Sequence, residues 1–163
     1  MLHGIEVVDF HMHLSKYEFF QKSAYAWFAQ KYPSEADYDK FSEINSNPAN
    51  FTKLLSENSV DIGVVLAEVA PLTTGVASNQ MVEDFCKDSP KLIPFCTLNP
   101  YCDPDLAGTI ENLHCVHGFK GVKLYPTYNY FYPNERMLYP LYATAQRLNI
   151  PILFHTGSSI FKN

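Results

Sequence analysis

The chain has 163 residues, of which 47% are hydrophobic and 15% aromatic, enough apolar material for a single globular domain spanning residues 1–163. Its net charge of -5, from 12 basic and 17 acidic residues, disfavours nucleic acid as a partner. No apolar run approaches the ~20 residues that cross a bilayer, and the N-terminus lacks a secretion signal. We therefore expect no membrane contact and a cytoplasmic location.

Five short apolar runs alternate with helical patterns, the order that produces a parallel sheet covered by helices. The predicted strands are 5–13, 62–67, 92–98, 119–125 and 152–155. They are continuous rather than alternating runs, as in strands that are buried on both faces. The pattern predicts an α/β fold of the barrel type. A doubly wound α/β domain is the alternative, although no GxGxxG follows the first strand, which disfavours dinucleotide binding.

The first predicted strand ends in His11-Met12-His13. Because side chains alternate along a strand, the two histidines share a face, with Cα atoms about 6.5 Å apart. Such a pair suits a transition metal such as zinc, and a third ligand would leave one position open for water. Asp9 has the same parity. It would either accept the remote N–H of an imidazole ligand or pair with a lysine such as Lys123.

A long insertion, 15–58, separates the first two strands. Aromatic residues crowd its first predicted helix around Trp27 and Phe28, a pattern typical of core that also suits a lid over the histidine pair. Asn47-Pro48 predicts the start of a second helix. Further helices are predicted to start at Ser78, at Asp103-Pro104 and after Pro133-Asn134, and Pro140 marks either the first turn or a kink of the last one.

The fourth predicted strand places Lys123 and Tyr125 on one face, by parity. Lysine is seldom buried without a partner. If Lys123 faces the interior of a barrel, it would pair with Asp9, hold a substrate carboxylate or, as a carbamate, bridge two metals. The remaining interpretation is a lysine that faces solvent at the strand end.

The fifth predicted strand ends in His155 and a glycine turn, which repeats the pattern of the first strand. Polar side chains at the carboxyl ends of parallel strands meet at one edge of the sheet, where catalytic loops begin. We therefore expect His155 to be the third metal ligand, rather than a core histidine bonded to a carbonyl. Glu68, which follows the second strand, is a weaker candidate because loops are polar in general.

Three segments together, 9–13, 118–126 and 150–157, resemble the amidohydrolase superfamily. The resemblance is to its amidohydrolase-2 branch, which includes the aminocarboxymuconate-semialdehyde and resorcylate decarboxylases. It implies a (β/α)8 TIM barrel, of which this chain carries the first five β/α units, and a metal bound by His11, His13 and His155. It also implies a histidine after strand six and a catalytic aspartate after strand eight. Both are expected beyond Asn163, so we interpret the chain as a truncated fragment.

These observations predict a metal-dependent hydrolase in which zinc lowers the pKa of a bound water toward ~7 and polarises the scissile carbonyl. The substrate would be a small ester, lactone or amide, oriented by Lys123 and Tyr125. One alternative is a non-oxidative decarboxylase of a small aromatic or unsaturated acid. Another is an inactive metal-binding or interaction module.

A sheet of five strands has two edges with unpaired backbone groups, and such edges favour association between chains. A homo-oligomer is therefore one of the expected states.

Overall fold

The computed structural model describes residues 4–156. The strands are β1 (Val8–His13), β2 (Phe19–Phe20), β3 (Ile62–Leu66), β4 (Glu68–Ala70), β5 (Gly75–Ala77), β6 (Leu92–Thr97), β7 (Gly121–Leu124) and β8 (Ile152–Phe154). Strands β1, β3, β6, β7 and β8 form a parallel sheet in the order β1-β3-β6-β7-β8. This curled sheet with its helices is a partial (β/α) barrel, which confirms the predicted fold class. The five predicted strands are all present, each with shorter bounds.

Seven helices lie within the described residues: α1 (Lys22–Ala29), α2 (Glu35–Asn45), α3 (Pro48–Glu57), α4 (Asn79–Cys86), α5 (Leu106–Cys115), α6 (Pro126–Asn129) and α7 (Tyr139–Leu148). Asn47 caps α3 and Ser78 caps α4 through side-chain oxygens that accept backbone N–H groups, as predicted. Pro140 lies in the first turn of α7. No helix within 4–156 has the length and apolar character needed to cross a membrane.

The short helix α6 was not predicted, and two further helices also depart from the predictions. The sequence did not predict α2, whose residues are too polar to show an apolar stripe but whose start is stabilised by the side chain of Ser34, an acceptor for the N–H of Asp37. Helix α5 begins later than Asp103-Pro104, because Asp105 is the residue that caps it. Asp103 accepts the backbone N–H of Asn99 at 2.7 Å instead.

A second, antiparallel sheet with the order β2-β5-β4 was also not predicted. Its strands are two or three residues long, too short for a period of two to be visible in the sequence. Strand β5 pairs with β2 so closely that a Cβ on Gly75 would lie 2.1 Å from the carbonyl oxygen of Phe19. This position therefore requires glycine. Strand β4 follows β3 after a single residue, so this small sheet is attached at the carboxyl end of the barrel strands.

The core lies on both faces of the parallel sheet. On the helix side, Val65, Val122 and Leu124 belong to a large cluster that includes residues of α4, α5 and α7. On the inner face, Val64, Leu66 and Phe95 form a smaller cluster. Because strand side chains alternate, Lys123 lies on this inner face between Val122 and Leu124. The inner face therefore holds the candidate site.

Strand β1 contains a bulge between Asp9 and Met12. Asp9 is in register with Gly63 and His13 with Leu66, so four steps along β1 match three along β3. By register, Asp9 therefore falls on the opposite face from His13. The extra residue breaks the alternation on which the prediction that Asp9 shares the face of both histidines was based, although Asp9 still borders the same cleft as His11 and His13.

Candidate metal centre

The bulged end of β1 carries His11 and His13, whose ring centroids lie 5.3 Å apart. His155 follows β8 at the other edge of the sheet, and its backbone N–H donates to the carbonyl of Leu124 at 2.8 Å. The Tyr125 ring lies between the two edges, 6.5 Å from the His13 ring and 6.1 Å from the His155 ring. The curl of the sheet thus turns the three predicted histidines toward one another, although they come from its two outermost strands.

The electrostatics of the three imidazoles also reflect this convergence. Burial, the imidazole of His11 and the charge of Lys123 lower the pKa of His13 to about 3. Burial and the charge of Lys123 lower the pKa values of His11 and His155 as well. All three rings are therefore neutral near pH 7, the form in which imidazole binds a metal.

Lys123 is fully buried on the inner face. Its Nζ has no hydrogen-bond partner among the described residues and lies 5.2 Å from the centroid of the Tyr125 ring. Burial lowers the pKa of Lys123 to about 8, and the charge of Glu68 opposes this shift. The prediction of a solvent-facing lysine is excluded. The prediction of an Asp9–Lys123 pair is not supported either, since the acidic group that acts on Lys123 is Glu68.

Glu68, which we ranked as a weaker candidate from the sequence, lies closer to the histidines than expected. It is 3% exposed at the start of β4, its Oε2 accepts the Tyr17 hydroxyl at 3.1 Å, and the same oxygen lies 3.3 Å from Nδ1 of His13. Burial raises the pKa of Glu68, while the side chains of Thr74 and Tyr17 and the charge of Lys123 lower it. Its position one residue beyond a strand end was the available signal, but its contacts depend on the second sheet, which was not predicted.

Two further predicted residues lie near the histidines with their polar groups already engaged. Tyr125 is 1% exposed and its hydroxyl donates to the carbonyl of Ala67 at 2.8 Å. The Asp9 carboxylate accepts the backbone N–H of His11 at 3.0 Å, which stabilises the bulge. No contact within residues 4–156 joins the Asp9 carboxylate to an imidazole nitrogen. Its predicted role in fixing a tautomer stays a prediction.

The insertion covers the histidine pair on one side. A cleft of about 490 Å³ is bounded by His11 and His13 from β1 and by residues of the insertion. Its aromatic lining consists of Tyr17, Phe20, Phe28, Tyr32, Tyr38, Phe41 and Phe51, and Ser42 and Lys31 are polar members. This arrangement suits a planar apolar ligand placed beside the imidazoles.

The donor set fits a divalent metal. Nε2 of His155 is buried and has no hydrogen-bond partner among the described residues. Leaving a buried polar atom unpaired costs stability, and a bound metal would supply the missing partner. Neutral imidazoles are borderline donors that suit zinc and its neighbours in the first transition row. Within residues 4–156, no three His, Cys, Asp or Glu side chains already stand at the distances of a closed metal site. The three rings would have to draw closer around an ion.

Comparison with solved structures agrees with this fold. The chain is similar to a TIM-barrel protein from Bordetella bronchiseptica (TM-score 0.68, 19% identity, 94% of this chain and 56% of that one). It is also similar to 5-carboxyvanillate decarboxylase from Novosphingobium aromaticivorans, solved with manganese and a nitrobenzoic acid (0.69, 16%, 97% and 53%). A third is dihydroxybenzoic acid decarboxylase from Polaromonas, solved with manganese and 2-nitroresorcinol (0.66, 16%, 94% and 50%).

The chain spans about half the length of these solved structures. No curated protein matches it in sequence. The sequence model of the amidohydrolase family, in its amidohydrolase-2 form, matches residues 8–162, which is nearly the whole chain. This match includes both histidines of β1, Lys123 and His155. The chain belongs to the amidohydrolase family.

Proposed function

We propose that this chain forms the metal-binding half of a metal-dependent enzyme that acts on a small organic acid or its derivative. The observation that carries the proposal is the convergence of the rings of His11, His13 and His155 on the face of the sheet where Lys123 is buried. A divalent metal held by these three residues would supply Lewis acidity. We propose zinc, although the manganese in the two decarboxylase structures makes both metals worth testing.

Lys123 and Tyr125 would position the substrate. A fully buried ammonium group without a hydrogen-bond partner among residues 4–156 is costly unless a ligand pairs with it. A substrate carboxylate would provide that pairing. Tyr125, whose hydroxyl is bonded to Ala67, would contact the substrate with its ring face, beneath the ammonium group. Both residues therefore favour an anionic substrate.

Our first candidate reaction is hydrolysis of a small ester, lactone or amide. The neutral imidazoles would hold the metal, Lys123 would neutralise a carboxylate on the substrate, and the aromatic cleft would exclude bulk water from the site. The family resemblance places the proton-handling aspartate after strand eight. The residues described in this chain would accordingly bind and orient, and a later part of a complete barrel would move the proton.

The second candidate is non-oxidative decarboxylation of an aromatic acid. A specific observation favours it: the cleft beside His11 and His13 is lined by seven aromatic rings of the insertion. Such a lining suits a benzoate-like ring, with its carboxylate near the metal and Lys123. Two of the solved structures with a similar fold are hydroxybenzoate-type decarboxylases.

Metal binding is the first test. We expect the chain to bind Zn²⁺ or Mn²⁺ at one ion per chain in a chelator competition experiment. His155→Ala removes one of three ligands and should weaken binding by about 100-fold or more, beyond the range typical of an outer-shell partner. His117→Ala is the matched control, since His117 pairs with Glu83 at 2.9 Å away from the site. Equal affinities for all three proteins would contradict the proposal.

Turnover of a substrate panel separates the two reactions. Lactones and carboxylate esters are incubated with the metal-loaded protein beside a series of hydroxybenzoic acids, and products are identified by mass. Hydrolysis products support the first candidate, and release of CO2 from the aromatic acids supports the second. Absence of both metal and turnover would favour the inactive module.

A further inference from the structure

Glu68 has an environment that its role in folding does not explain. It is the first residue of β4 and is 3% exposed, yet it lies on the inner side of the sheet among ionisable groups. Its polar neighbours include Tyr17, which donates to Oε2 at 3.1 Å, and His13, whose Nδ1 lies 3.3 Å from the same oxygen. The hydroxyl of Thr74 is a further polar neighbour of the carboxylate. A buried carboxylate needs such partners, because an isolated one is strongly destabilising.

The two carboxylate oxygens of Glu68 are used unequally. Oε2 accepts the Tyr17 hydroxyl and lies 3.3 Å from Nδ1 of His13. Nδ1 of His13 and Oε1 of Glu68 are both buried and form no hydrogen bond among the described residues, so a small rotation of the imidazole would complete the bond between Nδ1 and the carboxylate. Tyr17 thus anchors the carboxylate from the segment that leads into the insertion, and it holds Oε2 beside the imidazole. The other ring nitrogen of His13, Nε2, lies on the side of the ring away from Glu68.

A neutral imidazole exists as two tautomers, and only the nitrogen without a proton can bind a metal. An acceptor beside one nitrogen selects the tautomer that carries its proton there. The sequence offered this role to Asp9 as one of two alternatives, the other being a pair with a lysine. The bulge in β1 directs Asp9 to the backbone N–H of His11 instead, and Glu68 occupies the position beside an imidazole nitrogen.

We propose that Glu68 is a positioning residue for His13: its carboxylate accepts the Nδ1 proton and leaves Nε2 free to bind the metal. The inference rests on the proposed function, in which His13 is a ligand. It adds a residue from the second sheet to the metal centre. It also connects the insertion to a metal ligand through Tyr17.

The experiment uses the full chain with ¹⁵N-labelled histidine and compares wild type with Glu68→Met and Glu68→Gln. Two quantities are measured: the tautomer of His13 in the metal-free protein, from its ring ¹⁵N shifts, and the affinity for Zn²⁺. The His13 signals are assigned by their loss in His13→Asn. Glu83→Met is the matched control, because Glu83 contacts Nδ1 of His117 at 2.9 Å in the same way on the outer surface.

We expect wild-type His13 to carry its proton on Nδ1 and Glu68→Met to lose this preference. Zn²⁺ affinity should fall by about 10- to 100-fold in Glu68→Met, the range typical of an outer carboxylate partner. Glu68→Gln keeps an oxygen acceptor, so it should retain the tautomer and lose about tenfold or less in affinity. Glu83→Met should change the His117 signals alone.

An unchanged His13 tautomer in Glu68→Met would overturn the inference, as would an equal loss of affinity in Glu83→Met. Should the methionine variant fail to fold, wild-type affinity with an Nε2-protonated His13 in Glu68→Gln would overturn it as well. A wild-type protein that binds no Zn²⁺ would refute the proposed function. The tautomer measurement on the metal-free protein would still decide whether Glu68 positions His13.

Discussion

Gly121 leaves room for the ring of Phe95 on the inner face of the sheet. A Cβ at this position would lie 2.3 to 2.7 Å from three ring atoms of Phe95, which is 2% exposed and has no space to withdraw. Phe95 is in register with Gly121, two residues before Lys123, and its ring packs edge to face against Phe10 with ring centroids 5.3 Å apart. The absence of a side chain at residue 121 therefore determines how the floor of the candidate site is packed.

We predict that Gly121→Ala destabilises the protein by about 1–3 kcal/mol, the range for overpacking a filled core. The free energy of unfolding is measured by urea denaturation. Phe95→Leu removes the clashing ring atoms, so the double variant should lose less stability than the sum of the two single variants. Strict additivity of the two substitutions would show that the ring is not the obstacle.

At the scale of single elements, helix starts are defined by side chains that the sequence displays directly. Helix α4 has Ser78 as its cap, with Oγ accepting the N–H of Met81 at 3.3 Å. The helix presents Val82, Phe85 and Cys86 to the core. A cap of this kind satisfies one of the four N–H groups that the first helical turn leaves without a backbone partner.

We expect Ser78→Ala to lower the free energy of unfolding by about 1 kcal/mol through loss of this cap. Ser23→Ala is the matched control. Ser23 is exposed inside α1 and caps nothing, so its replacement should be neutral or slightly stabilising because alanine has the higher helix propensity. Thermal denaturation of the two variants measures the difference. Equal midpoints would contradict a capping role for Ser78.

At the scale of the whole molecule, the parallel sheet has β1 and β8 as its outer strands within residues 4–156. Each pairs on one side only. Val8 and Phe10 of β1 are 44% and 46% exposed. Both lie on the inner-face side of this outer strand. Apolar side chains beside unpaired backbone groups are the usual site of intermolecular strand pairing.

We predict that the 163-residue chain, produced alone, associates in a concentration-dependent manner that sedimentation velocity detects. Val8→Lys should reduce this association, because a charge on an edge strand opposes pairing. The control is Val116→Lys, since Val116 is 72% exposed next to the end of α5 and lies off the sheet edge. A monodisperse wild-type monomer, or an equal effect of both substitutions, would contradict the prediction.

The sequence alone predicted the five parallel strands and the helix caps Asn47 and Ser78, and it singled out the three histidines at strand ends, because each of these features is encoded locally. A strand-length apolar run predicts a buried strand, and a serine or asparagine before a helical pattern predicts a cap. Lys123 and His155 were identified for the same reason, as polar residues at or beside the ends of such runs. Helix α2 and the second sheet escaped prediction because one has no apolar stripe and the other has strands too short to show a period.

The tertiary structure decided which acid lies beside an imidazole nitrogen of a predicted metal ligand. Asp9 looked suitable by alternation along β1, but one inserted residue changed its face, and no local pattern announces a bulge. Glu68 reaches His13 because a loop after β3 returns as the second sheet and because Tyr17, 51 residues earlier in the chain, anchors it. The curl that brings His155 from one edge of the sheet toward His11 and His13 at the other is likewise a property of all five strands together.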